Sequence, residues 1–224
     1  MAINTEAFNI LKAKSDAAGV LLVAVSKTKS EEDILALYNL GQRDFGENYV
    51  QELIKKHESL PKDIRWHFIG HLQSNKVKLI APFVYLIHGV DSVKLLEVVN
   101  KEGEKIKRKI KCLLQVHIAK EETKFGFDLI EARQAITHVF VETSFSNIEL
   151  CGLMGMASFT ANQEEVRNEF SSLKLLHEEI RSRVDVDKNS FSVLSMGMSG
   201  DYELAISEGS NLIRVGSLLF GARA

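Results

Sequence analysis

Leu21-Leu22-Val23-Ala24-Val25-Ser26-Lys27-Thr28-Lys29 carries five aliphatic residues straight into a lysine. So short an apolar run, with no polar alternation, predicts a strand buried on both faces, the pattern of a parallel sheet. Lys27 then stands where the strand leaves the core. Loss of hydration there disfavours the ammonium form and leaves a fraction of free amine able to attack an aldehyde and form a Schiff base. A strand-end lysine can equally point into water, so the neighbouring segments have to separate the two readings.

Working outward, short β-like runs alternate with stretches of helical periodicity. Strands are predicted at Leu21–Val25, Arg43–Phe45, Arg65–Ile69, Val84–His88, Cys112–Ile118, Glu149–Met154, Ser192–Leu194 and Leu212–Val215. Helices are predicted at Glu31–Leu40, Tyr49–His57, Ser74–Ile80, Ser92–Lys105, Asp128–Thr137, Gln163–Val184 and Asp201–Glu208, with one more, Thr5–Ala18, before the first strand. Ser30, Asp91-Ser92 and Asn162 sit where helix N-caps belong. Strand–helix alternation indicates βαβ units, and eight such strands in 224 residues favour a closed barrel over an open doubly wound sheet. The expected fold is α/β: a single (β/α)8 TIM-type barrel with an extra N-terminal helix. With two prolines, no low-complexity stretch and no linker, residues 1–224 read as one domain.

Composition narrows the function classes. The net charge of -2 offers no broad attraction for nucleic acid or anionic lipid. The basic run Lys105 to Lys111 adjoins Glu97, Glu102 and Glu104 and reads as a solvated surface. No segment approaches the roughly 18 uncharged apolar residues of a membrane helix. The first residues lack the continuous hydrophobic region of a secretory signal, so the expected location is the cytoplasm. Cys112 and Cys151 lie in apolar runs and read as small buried hydrophobes. Neither a Gly-rich dinucleotide fingerprint nor a Walker-type loop is present.

In a (β/α) barrel the active groups gather at the C-terminal ends of the strands. Lys27, Asn48 and His71, beyond the first, second and third strands, would face one cavity. The loops Leu194-Ser195-Met196-Gly197-Met198-Ser199-Gly200-Asp201 and Ile213-Arg214-Val215-Gly216-Ser217 follow strands seven and eight, where barrels often hold a phosphate. Gly197, Gly200 and Gly216 would let the backbone approach an anion, with Ser199 and Ser217 as hydroxyl donors. A lysine on strand one, this cradle and an arginine on strand eight together suggest pyridoxal 5'-phosphate (PLP). Arg214, facing the pyridine nitrogen, can only donate and would favour an unprotonated ring, making the cofactor a weaker electron sink.

Ala24-Val25-Ser26-Lys27-Thr28, Phe45-Gly46-Glu47-Asn48-Tyr49-Val50-Gln51-Glu52, Trp66-His67-Phe68-Ile69-Gly70, Leu72-Gln73-Ser74-Asn75-Lys76, the two C-terminal loops and Phe220-Gly221-Ala222-Arg223 closely resemble the pyridoxal phosphate homeostasis proteins. The likeness runs from about residue 20 to the end. It implies the barrel of the alanine racemase N-terminal domain, with Lys27 as the Schiff-base lysine. It also implies Asn48 and Met196 at the cofactor, Arg214 at the ring nitrogen, and Ser199, Gly216 and Ser217 around the phosphate. Serine stands at position 217 where that family more often has threonine, and Lys124, in a looser segment, reads as an exposed loop lysine.

The same resemblance implies a carrier that buffers and delivers PLP and influences amino-acid and keto-acid pools, acting as a monomer with PLP-dependent apoenzymes as recipients. Two enzyme readings stay beside it. Two-base racemisation needs a tyrosine that racemases take from a C-terminal β-domain, and this sequence has no residues left for one after strand eight; its tyrosines, Tyr38, Tyr49, Tyr85 and Tyr202, fall within barrel elements, Tyr49 reading as packing and helix start. A Schiff-base aldolase could use the same lysine and phosphate cradle, but such enzymes usually place the lysine on a later strand. A metal site from His67 and His71 is disfavoured, because Gly70 intervenes and the first histidine lies in a strand; His67 reads as a satisfied core histidine.

Overall fold

The computed structural model of the protein describes residues 3–120, 125–141, 145–183, 186 and 189–221. Lys124, Val184, Ala222 and Arg223, named above, lie outside these. Eight parallel strands close into a barrel in sequence order: β1 (Leu21–Val25), β2 (Asp44–Glu47), β3 (Arg65–Phe68), β4 (Leu86–Val90), β5 (Ile110–Val116), β6 (Ile148–Gly155), β7 (Val193–Ser195) and β8 (Leu212–Val215). β8 pairs back on β1, with Arg214 opposite Val23. The helices are α1 (Thr5–Ala17), α2 (Glu31–Asn39), α3 (Val50–Ser59), α4 (Val77–Ile80), α5 (Val93–Lys105), α6 (Leu129–Val141), α7 (Gln163–Arg181), α8 (Tyr202–Ser207) and α9 (Ser217–Phe220). The barrel and its leading helix are those the strand–helix alternation predicts.

The expected caps form. Ser30 Oγ accepts the Asp33 amide at 3.2 Å, Ser92 Oγ that of Leu95 at 3.3 Å, and Asn162 Oδ1 those of Glu164 and Glu165. Boundaries move where polar residues lie inside strands. β2 runs on through Gly46 and Glu47, and β4 sits two residues later than its apolar run suggests. The Ser74 segment opens as a 3-10 turn, and α9, the turn that begins at Ser217, lacks any apolar period in the sequence. Among the described residues no helix is long and apolar enough to cross a membrane.

Side-chain alternation sorts each strand into a lumen face and a helix face. On β1, Leu22 and Ala24 join the main core beneath the helices, while Val23 packs in the lumen with Leu86, Leu113, Cys151, Met154 and Leu212. Trp66 and Phe68 of β3 and Leu194 of β7 face the helices. The same alternation sends His67 and Ser195 inward, and all of these residues are buried. Cys112 and Cys151 are both free and buried, and burial raises both thiols, that of Cys151 to about 12.

Candidate functional site

A cavity of about 680 Å³ opens at the C-terminal ends of the strands, within the size range of small-molecule sites. Lys27, Asn48, Ser199, Arg214, Gly216 and Ser217 line it. Met196, expected beside them, does not: its side chain is fully buried in the main core, one residue past β7, where alternation sends it away from the lumen. His71 also stays away, pairing instead with Asp91 at 2.9 Å and stacking on Phe125. Tyr49 is 57% exposed at the N-cap of α3 and packs little. His67 is the satisfied core histidine its setting suggests, with both ring nitrogens bonded.

Lys27 is half-buried, and alternation past the end of β1 explains where it points: Val25 and Lys27 face the cavity, while Ser26 faces outward. The residues on either side of Lys27 are held by one buried ionic network. Lys56 Nζ, on α3, donates to the Ser26 carbonyl at 2.7 Å, to Glu47 Oε1 at 2.8 Å and to Glu52 Oε1 at 2.6 Å. Ser26 Oγ donates to the same Glu47 oxygen at 2.6 Å, and the Thr28 amide donates to Glu52 Oε1 at 2.7 Å. Thr28 sits at φ 64°, a left-handed conformation that a β-branched residue adopts only when its surroundings impose it. The network therefore fixes both peptide groups flanking the lysine. Burial pushes the Glu47 carboxyl up to about 7 against the opposing pull of Lys56 and Ser26.

On the neighbouring strand β8, Arg214 Nη2 donates to the Gly155 carbonyl at 3.0 Å and Nη1 to Ser195 Oγ. Burial lowers this guanidinium to about 10, so it stays charged near neutrality. The turn after β7 is held by Gly197 at φ +95°, whose backbone carbonyl accepts the Arg214 amide at 3.0 Å; a Cβ there would lie 2.6 Å from that of Ala205. Ser199 Oγ accepts the Gly216 amide at 3.2 Å, tying the two expected phosphate loops together. The Ser217 and Leu218 amides, in the first turn of α9, have no acceptor within that helix, and both residues line the cavity. Asn48 is held from behind by Gly70, whose missing Cβ would sit 2.3 Å from the Asn48 carbonyl.

The model for the alanine racemase N-terminal domain matches residues 4–224. The pyridoxal phosphate homeostasis protein of Aquifex aeolicus is 38% identical over 203 residues, covering 90% of this chain and 86% of that protein. This chain belongs to the pyridoxal phosphate homeostasis protein family. The human member is 39% identical over 212 residues, covering 90% of this chain and 76% of that one. The structure of PipY from Synechococcus elongatus PCC7942, solved with PLP bound, superposes with a TM-score of 0.84 at 34% identity, covering 96% of this chain and 99% of PipY.

The cavity of this family member suits a phosphorylated aldehyde. It combines a primary amine, a fixed cation and a hydroxyl- and amide-lined turn, and at Gly200 the space a Cβ would take is open. Asn48 Oδ1 is buried with no hydrogen-bond donor among the described residues, a polar atom that a ligand can satisfy. Sequence reasoning missed Lys29, which lines the cavity and donates to the Phe220 carbonyl at 3.0 Å, and the supports Glu47, Glu52 and Lys56. Glu47 carried one signal, a carboxylate next to Phe45-Gly46 at a strand end, but its partner is nine residues away on a helix.

Proposed function

We propose that this protein is a PLP carrier: it holds the cofactor reversibly at Lys27 and limits the free aldehyde, without committing it to chemistry at an amino-acid α-carbon. The observation that carries the reading is the convergence on one cavity of Lys27, the unsatisfied Asn48 oxygen, Arg214 and the Ser199–Gly216–Ser217 turns. PLP supplies an aldehyde that condenses reversibly with a primary amine. Lys27 would provide that amine, and the Glu47–Lys56–Glu52 network would keep it facing the cavity. Asn48 would contact the ring substituents. Arg214, always a donor, would face the ring nitrogen and keep it unprotonated, which suits storage better than carbanion chemistry. Ser199, Ser217 and the amides of the α9 turn would receive the phosphate.

On the same reading, residues 1–224 act as a single domain and as a monomer in the cytoplasm, and PLP-dependent apoenzymes are the recipients. Recording the visible spectrum of the purified protein with PLP, reducing with borohydride and mapping the modified peptide tests the site. A yellow protein carrying a pyridoxyl group on Lys27 supports it. A protein that stays colourless with PLP, but that borohydride inactivates in the presence of a sugar phosphate, would instead identify an aldolase.

A further inference from the structure

We propose that Asp44, His67, His88 and Ser195 are positioning residues for Arg214, forming a one-way hydrogen-bond relay that runs through the barrel lumen from its closed end to the cavity. The contacts are continuous. Arg214 Nη1 donates to Ser195 Oγ; Ser195 Oγ lies 3.3 Å from His88 Nδ1; His88 Nε2 lies 2.9 Å from His67 Nδ1; and His67 Nε2 lies 3.0 Å from Asp44 Oδ1. Arg65, 43% exposed, closes the far end by donating to both Asp44 oxygens. The lumen carries this polar column from β2 through β3, β4 and β7 to β8, beside the apolar cluster around Val23 and Leu113.

The ends set the direction of every bond. A guanidinium only donates and an ionised carboxylate only accepts. Although burial alone opposes its charge, the hydrogen bonds from Arg65 and His67 hold Asp44 below the ordinary carboxylate range, so Asp44 is the terminal acceptor. His67 must therefore donate from Nε2 and accept at Nδ1. His88 must do the same, and Ser195 must donate to His88 while accepting from Arg214. The reverse order would leave a bare ring nitrogen of His67 facing the Asp44 carboxylate. Complete burial lowers both imidazoles, keeping each neutral with one donor and one acceptor. Every group in the column is satisfied in one arrangement only, which locks the guanidinium plane against the cavity wall. A neutral column also keeps the Arg214 cation apart from the Asp44–Arg65 ion pair at the other end of the barrel.

The functional consequence rests on Arg214 facing the cofactor ring, and the test separates the two ideas. Long-range 1H–15N correlation spectra of 15N-labelled protein without PLP report the tautomers directly, with assignments from His67→Gln and His88→Gln. The expected result at pH 7 is that His67 and His88 are both neutral and protonated at Nε2; an imidazolium or an Nδ1-protonated ring at either position overturns the relay. With PLP loaded, Ser195→Ala is expected to shift the visible absorption maximum and weaken PLP binding about tenfold, the effect of freeing one charged donor. Ser195→Thr, which keeps the hydroxyl, is expected to restore both. A Ser195→Ala protein with an unchanged spectrum and affinity overturns the link to Arg214. Failure of PLP to attach at Lys27 in the unaltered protein would remove the carrier reading and leave the tautomer result standing.

Discussion

In the layer between the barrel and α3, Lys56 and two glutamates meet below the surface around the peptide groups that flank Lys27. In the lumen, the Arg214 cation and the Asp44 anion are separated by three neutral groups. Both arrangements orient a side chain at the cavity, yet they handle charge in opposite ways. The first concentrates it. A shared cation pins two carboxylates, and removing the cation would leave the buried Glu47 carboxyl without the partner that offsets its burial. The second spreads it, so losing its central link, His88, leaves only neutral groups unsatisfied, a smaller penalty. The first also draws on residues 26–56, whereas the second draws on residues from 44 to 214, and that span decides how much of each is visible in the sequence.

Removing the shared cation is expected to have the largest effect. Lys56→Met is expected to destabilise the fold by about 3–5 kcal/mol in urea unfolding, the cost of removing one partner of a buried ion pair. The double variant Lys56→Met, Glu47→Leu is expected to regain most of that loss. If it does not, the network contributes through shape and not charge. In the lumen, His88→Leu is expected to cost about 1–3 kcal/mol, the desolvation of the groups it leaves unpaired. A larger loss than that from Lys56→Met would reverse the ranking of the two regions.

Opposite pH slopes sharpen the contrast. The folded value of Glu47, about 7, lies above its ordinary 4.5, so the folded protein binds more protons between those pH values. Its contribution to stability therefore falls as pH rises through that window, by at most about 1.4 kcal/mol per pH unit. Glu47→Gln is expected to flatten this slope. His67 and His88 are lowered from 6.5, so the unfolded chain takes up protons first and stability falls as pH drops below 6.5. Urea midpoints measured from pH 4 to 8 on the unaltered protein, Glu47→Gln and His88→Leu check both signs. The smallest effect expected is at Thr28. Thr28→Gly relieves the left-handed strain and is expected to stabilise by up to about 1 kcal/mol, after the extra chain entropy of glycine is subtracted. Destabilisation would mean that the Thr28 side chain itself supports the turn.

The barrel and most of the residues that meet at its strand ends follow from the pattern of residues along the chain. Buried parallel strands are written as continuous apolar runs, and the barrel sends each strand's C-terminal end to one face. Lys27, Asn48, Ser199, Arg214, Gly216 and Ser217 were legible for that reason, although the same positional argument misplaced His71, which turns away to Asp91. Met196 was not, because its fate turns on which face of β7 it continues. What stands behind those residues is set by the closed fold. His67 and His88 are each an isolated polar residue in an apolar segment, while Glu47 and Lys56 stand among other polar residues, and nothing local tells a buried, satisfied one from a misplaced or solvated one. Their meaning comes from partners brought within hydrogen-bond reach by closure of the barrel, and burial makes those partners obligatory.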